Sequence, residues 1–164
     1  EICACLVGSE MCIRDRAWVK AHKDKLPKIA NLFNRDGGPE PPVGISVPQA
    51  MYDDFVKISE PIQKIRPDYP FEVKVREPRK RPTRMGGTDA SVFAIEGVPT
   101  LGFTTEDFKG YDFDYGEIWH TERDLYTKNI PEYQEHTATV TAIIALGVAN
   151  LDKQLSREGL YTEE

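Results

Sequence analysis

The stretch that decides the fold runs from residue 43 to residue 75 and reads VGISVPQAMYDDFVKISEPIQKIRPDYPFEVKV. It begins with a short apolar run, Val43–Val47, which is typical of a buried strand. It ends with Phe71–Val75, where apolar and charged residues alternate as in a half-exposed strand. Apolar residues at helical spacing predict an amphipathic helix between the two strands, with Ser46 and Gln49 as a capping box. The apolar face of that helix consists of Met51, Phe55, Ile58, Ile62 and Ile65.

Strands and helices also alternate outside this stretch. Two more strands are predicted, at Ile29–Asn34 and Val98–Phe103. Three more helices are predicted: Ala17–Lys25, a short one with Thr88 as N-cap running to Glu96, and a long one capped by Asn129 and Glu132. The apolar stripe of the long helix consists of Tyr133, Thr137, Val140, Ile144, Val148, Leu151 and Leu155. The fold class is therefore α/β, a partial, mixed and mostly parallel sheet flanked by helices.

Length, net charge and hydropathy argue against two classes of partner, nucleic acids and the membrane interior. With 164 residues, the chain is long enough for one domain with a real core. The net charge of −6 argues against a nucleic-acid partner, and no apolar run approaches the roughly 20 residues that a membrane span needs. One basic segment, residues 74–84, is either a solvated loop or a site that captures an anionic group of a ligand.

The N-terminal segment Glu1–Arg16 reads EICACLVGSEMCIRDR and contains all three cysteines. It resembles a translated sequencing adapter, and we interpret it as an artefact; the alternative is a genuine cysteine-bearing strand or arm. The expected organisation is thus an artefact at 1–16, the domain at 17–158 and a frayed tail at 159–164. On this interpretation the open reading frame is truncated.

Two residues are candidate metal ligands. Asp36 follows a predicted strand and precedes two glycines, so its carboxylate could bind zinc or, alternatively, its own turn backbone. His120 could bind zinc through one ring nitrogen while Asp89, Asp124 or Glu117 fixes the other. The alternative for His120 is a histidine with a satisfied hydrogen bond and no ligand role. The remaining histidines, His22 and His136, are interpreted as structural or solvent-facing.

Four motifs occur in a fixed order along the chain: NRDGG at 34–38, GGTDASVF at 86–93, EGVP at 96–99 and WHTERD at 119–124. Together, over about residues 17–156, they resemble the C-terminal half of the co-catalytic zinc exopeptidases. That metallopeptidase family includes aminopeptidase Y, bacterial leucyl aminopeptidases and carboxypeptidase Q.

The resemblance implies a role for several residues. Asp36 would bind one of two zinc ions, His120 would bind the other, and Asp89 would lie beside the metal site. A metal-bound water would attack the scissile carbonyl of a peptide substrate, and a general base would take its proton. No catalytic base is assigned in this chain, because the first histidine, the bridging aspartate and a glutamate pair are expected upstream of Ala17. The chain is accordingly expected to be an inactive fragment.

Candidate substrate-pocket residues are Met85, Thr88, Phe103 and Tyr115, the last two from an aromatic loop that could instead be core. Two other functions stay open: a non-catalytic protein-binding domain with the same fold, and a zinc amidohydrolase or glutaminyl cyclase. The sequence does not decide between amino- and carboxypeptidase, nor the oligomeric state. A periplasmic or secreted location is expected for the full-length protein.

Overall fold

The computed structural model describes residues 13–162, which build a mixed α/β fold around a three-stranded sheet. The strands are β1 (Pro42–Val47), β2 (Glu72–Val75) and β3 (Phe103–Thr105), in the spatial order β2-β1-β3. β1 pairs in parallel with β2 and antiparallel with β3. The predicted mixed sheet flanked by helices is confirmed, with one parallel and one antiparallel pairing.

Helices cover the sheet. The first, α1, is described over residues 13–21, so residues 13–16 of the expected adapter segment are helical and continuous with the rest. The others are α2 (Tyr52–Ile65), α3 (Ala90–Ile95), α4 (Tyr115–Ile118) and α5 (Pro131–Ala149). Each helix within residues 13–162 is too short or too polar to cross a membrane.

The main core lies where α2 and α5 meet and contact the sheet. Its fully buried side chains include Val47 of β1, Phe55 of α2 and Ile144 of α5. Burying such a side chain contributes about 1.5–3 kcal/mol. The predicted apolar face of α2 is confirmed at Phe55, Ile58 and Ile62, whereas Ile65, the last residue of the helix, is 56% exposed. The capping box was wrong: Ser46 belongs to β1, and a 3₁₀ turn at Gln49–Met51 precedes the helix.

The predicted strand Ile29–Asn34 was also wrong, since residues 29–36 form no regular secondary structure. Leu32 N–H donates to the carbonyl of Pro99 (2.9 Å), and Asn31 makes the other contacts through its side chain. The Asn31 amide accepts from Leu101 N–H (2.8 Å) and donates to the Leu101 carbonyl (3.1 Å). A side chain thus occupies the backbone groups that a strand ladder would need, so the strand predicted at Val98–Phe103 starts only at Phe103.

Helix ends differ from their predicted caps as well. The residue that precedes α3 is Asp89, without a side-chain capping bond, and Thr88 instead accepts from Ser91 through its carbonyl. Gly97 ends that segment with φ +78°, as predicted. The residue that precedes α5 is Ile130, while the Asn129 side chain donates to Gln134 (3.2 Å).

The expected frayed tail is ordered over residues 159–162. Leu160 is buried in the main core at 2% exposure, and Tyr161 forms a parallel bridge with Arg79. The tail therefore holds the basic segment 74–84 against the domain. Residues 163–164, and the cysteines of the N-terminal segment, lie outside the described part of the chain.

Candidate metal and substrate site

Asp36 and His120, far apart in sequence, both line one cleft of about 970 Å³, which we call the main cleft. Its walls come from the turn at residues 35–39, the segment from α4 to Asn129, and the first half of α5. The structure therefore brings the two candidate metal ligands into a common cleft.

Asp36 is exposed and lies on a turn that is stabilised by hydrogen bonds from the two residues before it, Asn34 and Arg35. Its carboxylate accepts a hydrogen bond from the side-chain amide of Asn34 (2.6 Å). The Arg35 guanidinium donates to the carbonyls of Gly38 (2.8 Å) and Glu40. Gly38 adopts φ +69°, where an added Cβ would lie 3.0 Å from the ring of Phe113. The turn is thus specified by its neighbours, and it presents the carboxylate to the cleft.

His120 is exposed and has a left-handed backbone, with φ +57°. A non-glycine residue there is uncommon and costs on the order of 1–3 kcal/mol, and such residues cluster at functional sites. The turn after α4 holds it, because Thr121 N–H donates to the Ile118 carbonyl (3.0 Å) and the Thr121 hydroxyl donates to the Glu117 carbonyl (2.8 Å). The imidazole contacts the Trp119 ring at a centroid distance of 4.5 Å.

Only one of the three carboxylates expected to orient His120 shares its cleft. Asp124 lines the main cleft. Glu117 instead pairs with Lys128, at 3.1 Å. Asp89 precedes α3 beside Asp15, where burial and then the nearby Asp89 carboxylate raise the pKa of Asp15. Asp89 thus contacts the N-terminal helix, and it lines neither cleft described here.

The four candidate pocket residues separate in space. Tyr115 lines the main cleft and stacks near Trp119, with ring centroids 6.4 Å apart. Thr88 and Phe103 line a second cleft of about 480 Å³, which we call the basic cleft. Met85 is exposed and lines neither. Asp36 lines both clefts, so it stands at their junction.

Sequence reasoning missed a hydrogen-bonded cluster that anchors the aromatic loop. Glu132 accepts from Lys109 Nζ (2.5 Å), from the Tyr69 hydroxyl (2.9 Å) and from the Tyr111 hydroxyl. The hydrogen bond from Lys109 comes first among the causes that lower the pKa of Glu132 to about 2. The Tyr133 hydroxyl donates to Asp107 (2.6 Å), which fixes the same loop. The residues of this hydrogen-bonded cluster come from separate segments of the chain, so no local sequence pattern could have predicted it.

Trp119 was missed as a cleft residue, although its position next to His120 was a usable signal. Arg76 and Arg79, both from the basic segment, line the basic cleft together. Their shared cleft could not be foreseen, because it depends on how the segment docks against the C-terminal residues.

The donor types at the main cleft suit zinc, which binds histidine nitrogen and carboxylate oxygen. Their number falls short. Over residues 13–162, no three His, Cys, Asp or Glu side chains are grouped so as to hold a metal ion, whereas zinc sites use three or four protein ligands. The described residues therefore provide part of a zinc site and do not complete one.

Comparison with known families gives a match between residues 4–144 and peptidase family M28. The match spans most of the chain, and the chain belongs to peptidase family M28. It is thus a member of a family of hydrolases that are generally zinc-dependent peptidases. The match begins at residue 4, inside the expected adapter segment, and the adapter interpretation stays a prediction. Neither the curated proteins nor the solved structures gave a match.

Proposed function

We propose that this chain contributes two zinc ligands, Asp36 and His120, to a metallopeptidase that removes residues from the ends of peptides. The observation that carries the proposal is their meeting in the main cleft, in a member of peptidase family M28. The strained backbone of His120 supports it, because strain of this kind persists where the surroundings impose it and is concentrated at functional positions.

Several residues at and beside the main cleft then have definite tasks. The Asn34 amide, 2.6 Å from the Asp36 carboxylate, holds that carboxylate in place for the metal. Asp124 is the carboxylate available to steady the His120 ring. Tyr115 and Trp119 offer an aromatic wall for an apolar side chain of the peptide. Bound zinc would polarise the scissile carbonyl and lower the pKa of a water. The missing ligands and the general base would come from outside residues 13–162.

Zinc binding by the purified chain tests this proposal. A competition titration against a chromophoric chelator should give weak binding at the main cleft, because residues 13–162 supply two of the three or four ligands that a zinc site uses. Asp36→Ala and His120→Ala should each weaken zinc binding at least ~10-fold, in the range known for losing groups that support a metal site. His22→Gln is the matched control, since His22 is a histidine whose ring nitrogen bonds the Trp18 carbonyl (2.9 Å) at the end of α1.

If Asp36→Ala and His120→Ala both bind zinc as tightly as the wild type, the two residues are not zinc ligands. Turnover belongs to a second experiment, on the full-length protein, with peptide substrates blocked at one end or the other. Chelation should abolish that turnover and added zinc should restore it. A blocked N-terminus that leaves turnover unchanged identifies a carboxypeptidase, and a blocked C-terminus that does so identifies an aminopeptidase.

A further inference from the structure

The basic cleft has a charge arrangement that the proposed function leaves unexplained. Three charged side chains line it, namely Arg76, Arg79 and Asp36. Hydroxyl-bearing residues complete the lining: Ser46, Thr88, Ser91, Thr100 and Thr104. Two guanidinium groups beside hydroxyl groups form the type of surface that proteins use to bind carboxylate or phosphate.

Neither arginine has an acidic partner within residues 13–162. Arg76 donates only to the backbone carbonyls of Glu77 (3.2 Å) and Leu160 (3.5 Å), and its buried Nε has no partner among the described residues. Burial first, and then the positive charge of Arg79, lower the pKa of Arg76. Two like charges held close together without an ion pair to a carboxylate of the described residues are costly, and an anion bound between them would relieve that cost.

The backbone fixes Arg79 in place. Its N–H donates to the Leu160 carbonyl (3.3 Å), and its own carbonyl accepts from Thr162 N–H (2.9 Å). The C-terminal residues therefore hold the arginine at the cleft while its side chain stays exposed. The Arg79 backbone is thus held by hydrogen bonds to the C-terminal residues, unlike a freely solvated loop, the first of the two interpretations of the basic segment.

We propose that the basic cleft binds a carboxylate of the peptide substrate through Arg76 and Arg79. This inference rests on the proposed function, because Asp36 stands at the junction of the basic cleft and the main cleft. A peptide with its carboxylate between the arginines would extend past Asp36 toward His120. The carboxylate can be the C-terminus of the peptide or the side chain of an aspartate or glutamate.

Peptide binding to the whole 164-residue chain in the presence of chelator tests the inference without zinc. Four acetylated alanine peptides serve as probes: one with a free C-terminus, its C-terminal amide, and two amides with either glutamate or glutamine inside. We expect a free carboxylate to bind at least ~10-fold more tightly than the matched neutral peptide. The pair in which the preference appears identifies the source of the carboxylate.

Arg79→Gln should remove most of that preference, and Arg76→Gln should do so as well if the variant folds. Arg79→Gln decides the test, because the exposed side chain can change without disturbing the core. Arg84→Gln is the matched control, an exposed arginine of the same segment that lines neither cleft. The inference is overturned if all four peptides bind equally, if Arg79→Gln keeps the preference, or if Arg84→Gln loses as much.

The two proposals fail separately. Loss of the carboxylate preference with intact zinc binding at Asp36 and His120 would remove the basic cleft alone. If the carboxylate preference is retained but zinc affinity is unchanged in the Asp36 and His120 variants, the proposed metal site is wrong and the basic cleft remains an anion-binding site.

Discussion

His136 makes the stability of this fold depend on pH between neutral and mildly acidic conditions. The side chain is fully buried on α5, where its Nε2–H donates to the Pro42 carbonyl (3.0 Å) at the start of β1. Its ring stacks on Tyr69 at a centroid distance of 4.0 Å. Its Nδ1 is buried without a partner among the described residues, so a second ring proton would have nothing to bond.

This environment lowers the pKa of His136 below its ordinary 6.5, chiefly through burial. The hydrogen bond to Pro42 opposes the change, Arg66 and Lys109 add to it, and Asp68 opposes it. Since the folded pKa is the lower one, the unfolded chain takes up the proton first as the pH falls below about 6.5. The stability is therefore complete above that pH and is lost as the pH falls toward the folded pKa.

The size of the effect follows from linkage. One proton taken up only by the unfolded chain lowers the free energy of unfolding by about 1.4 kcal/mol per pH unit. The limit for a ring that stays neutral when folded is a loss of about 2 kcal/mol between pH 7 and pH 5. Urea unfolding at pH 7, 6 and 5, followed by tryptophan fluorescence, measures it.

His136→Gln retains a donor for the Pro42 carbonyl and cannot titrate, so its unfolding free energy should be nearly flat over this range. His22→Gln, at the end of α1, should behave like the wild type. The reasoning is refuted if the wild-type free energy does not fall between pH 7 and pH 5, or if His136→Gln falls as steeply.

Two further predictions concern packing and the aromatic loop. Gly147→Ala adds a methyl group that would overlap Cγ2 of Ile58 and lie 2.9 Å from its Cγ1. Because the overlap is severe, the overpacking cost should fall in the upper part of the range of about 1–3 kcal/mol, above the helix-propensity gain of about 1 kcal/mol. Chemical denaturation should therefore show a net loss of stability of up to about 2 kcal/mol. Adding Ile58→Ala should then cost less in the Gly147→Ala background than alone, and equal costs in a double-mutant cycle would contradict the close contact. Glu132, whose pKa is lowered to about 2 mainly by Lys109, should stabilise the fold fully above pH 4.5 and progressively less toward pH 2. Glu132→Gln should flatten that part of an acid titration followed by circular dichroism, and an unchanged curve would exclude the cluster as its cause.

The spacing of apolar residues correctly predicted the helices and strands that bury one face. It failed where a side chain takes the hydrogen bonds that a neighbouring strand would otherwise make. Val43–Val47 and the apolar residues of α2 were found because burial imposes a repeat on the sequence. Asn31 left no such repeat, so its amide contacts with Leu101 turned a predicted strand into an irregular segment. In α5, His136 lies three residues after Tyr133 and four before Val140, a spacing that places it on the buried face. The predicted apolar stripe of the long helix included Thr137 and left out His136.

Part of the candidate site was predictable from the sequence and part was not. Motif order located Asp36 and His120, and the structure places both at one cleft. What those residues bind stays a prediction. The pairing of Glu117 with Lys128 and the place of Asp89 beside Asp15 depend on the folded path of the chain, which spacing does not encode.

The Asn31 side chain has a wider consequence for how this protein can vary. The segment that leads to Asp36 has no strand ladder, and a single amide, with one backbone bond at Leu32, keeps it alongside residues 99–101. Replacing that amide by a carboxylate would remove the donor and repel the Leu101 carbonyl, releasing the approach to Asp36 while every residue of the main cleft stayed the same. A sequence change at a residue that does not line the main cleft can therefore alter the position of the proposed metal ligand.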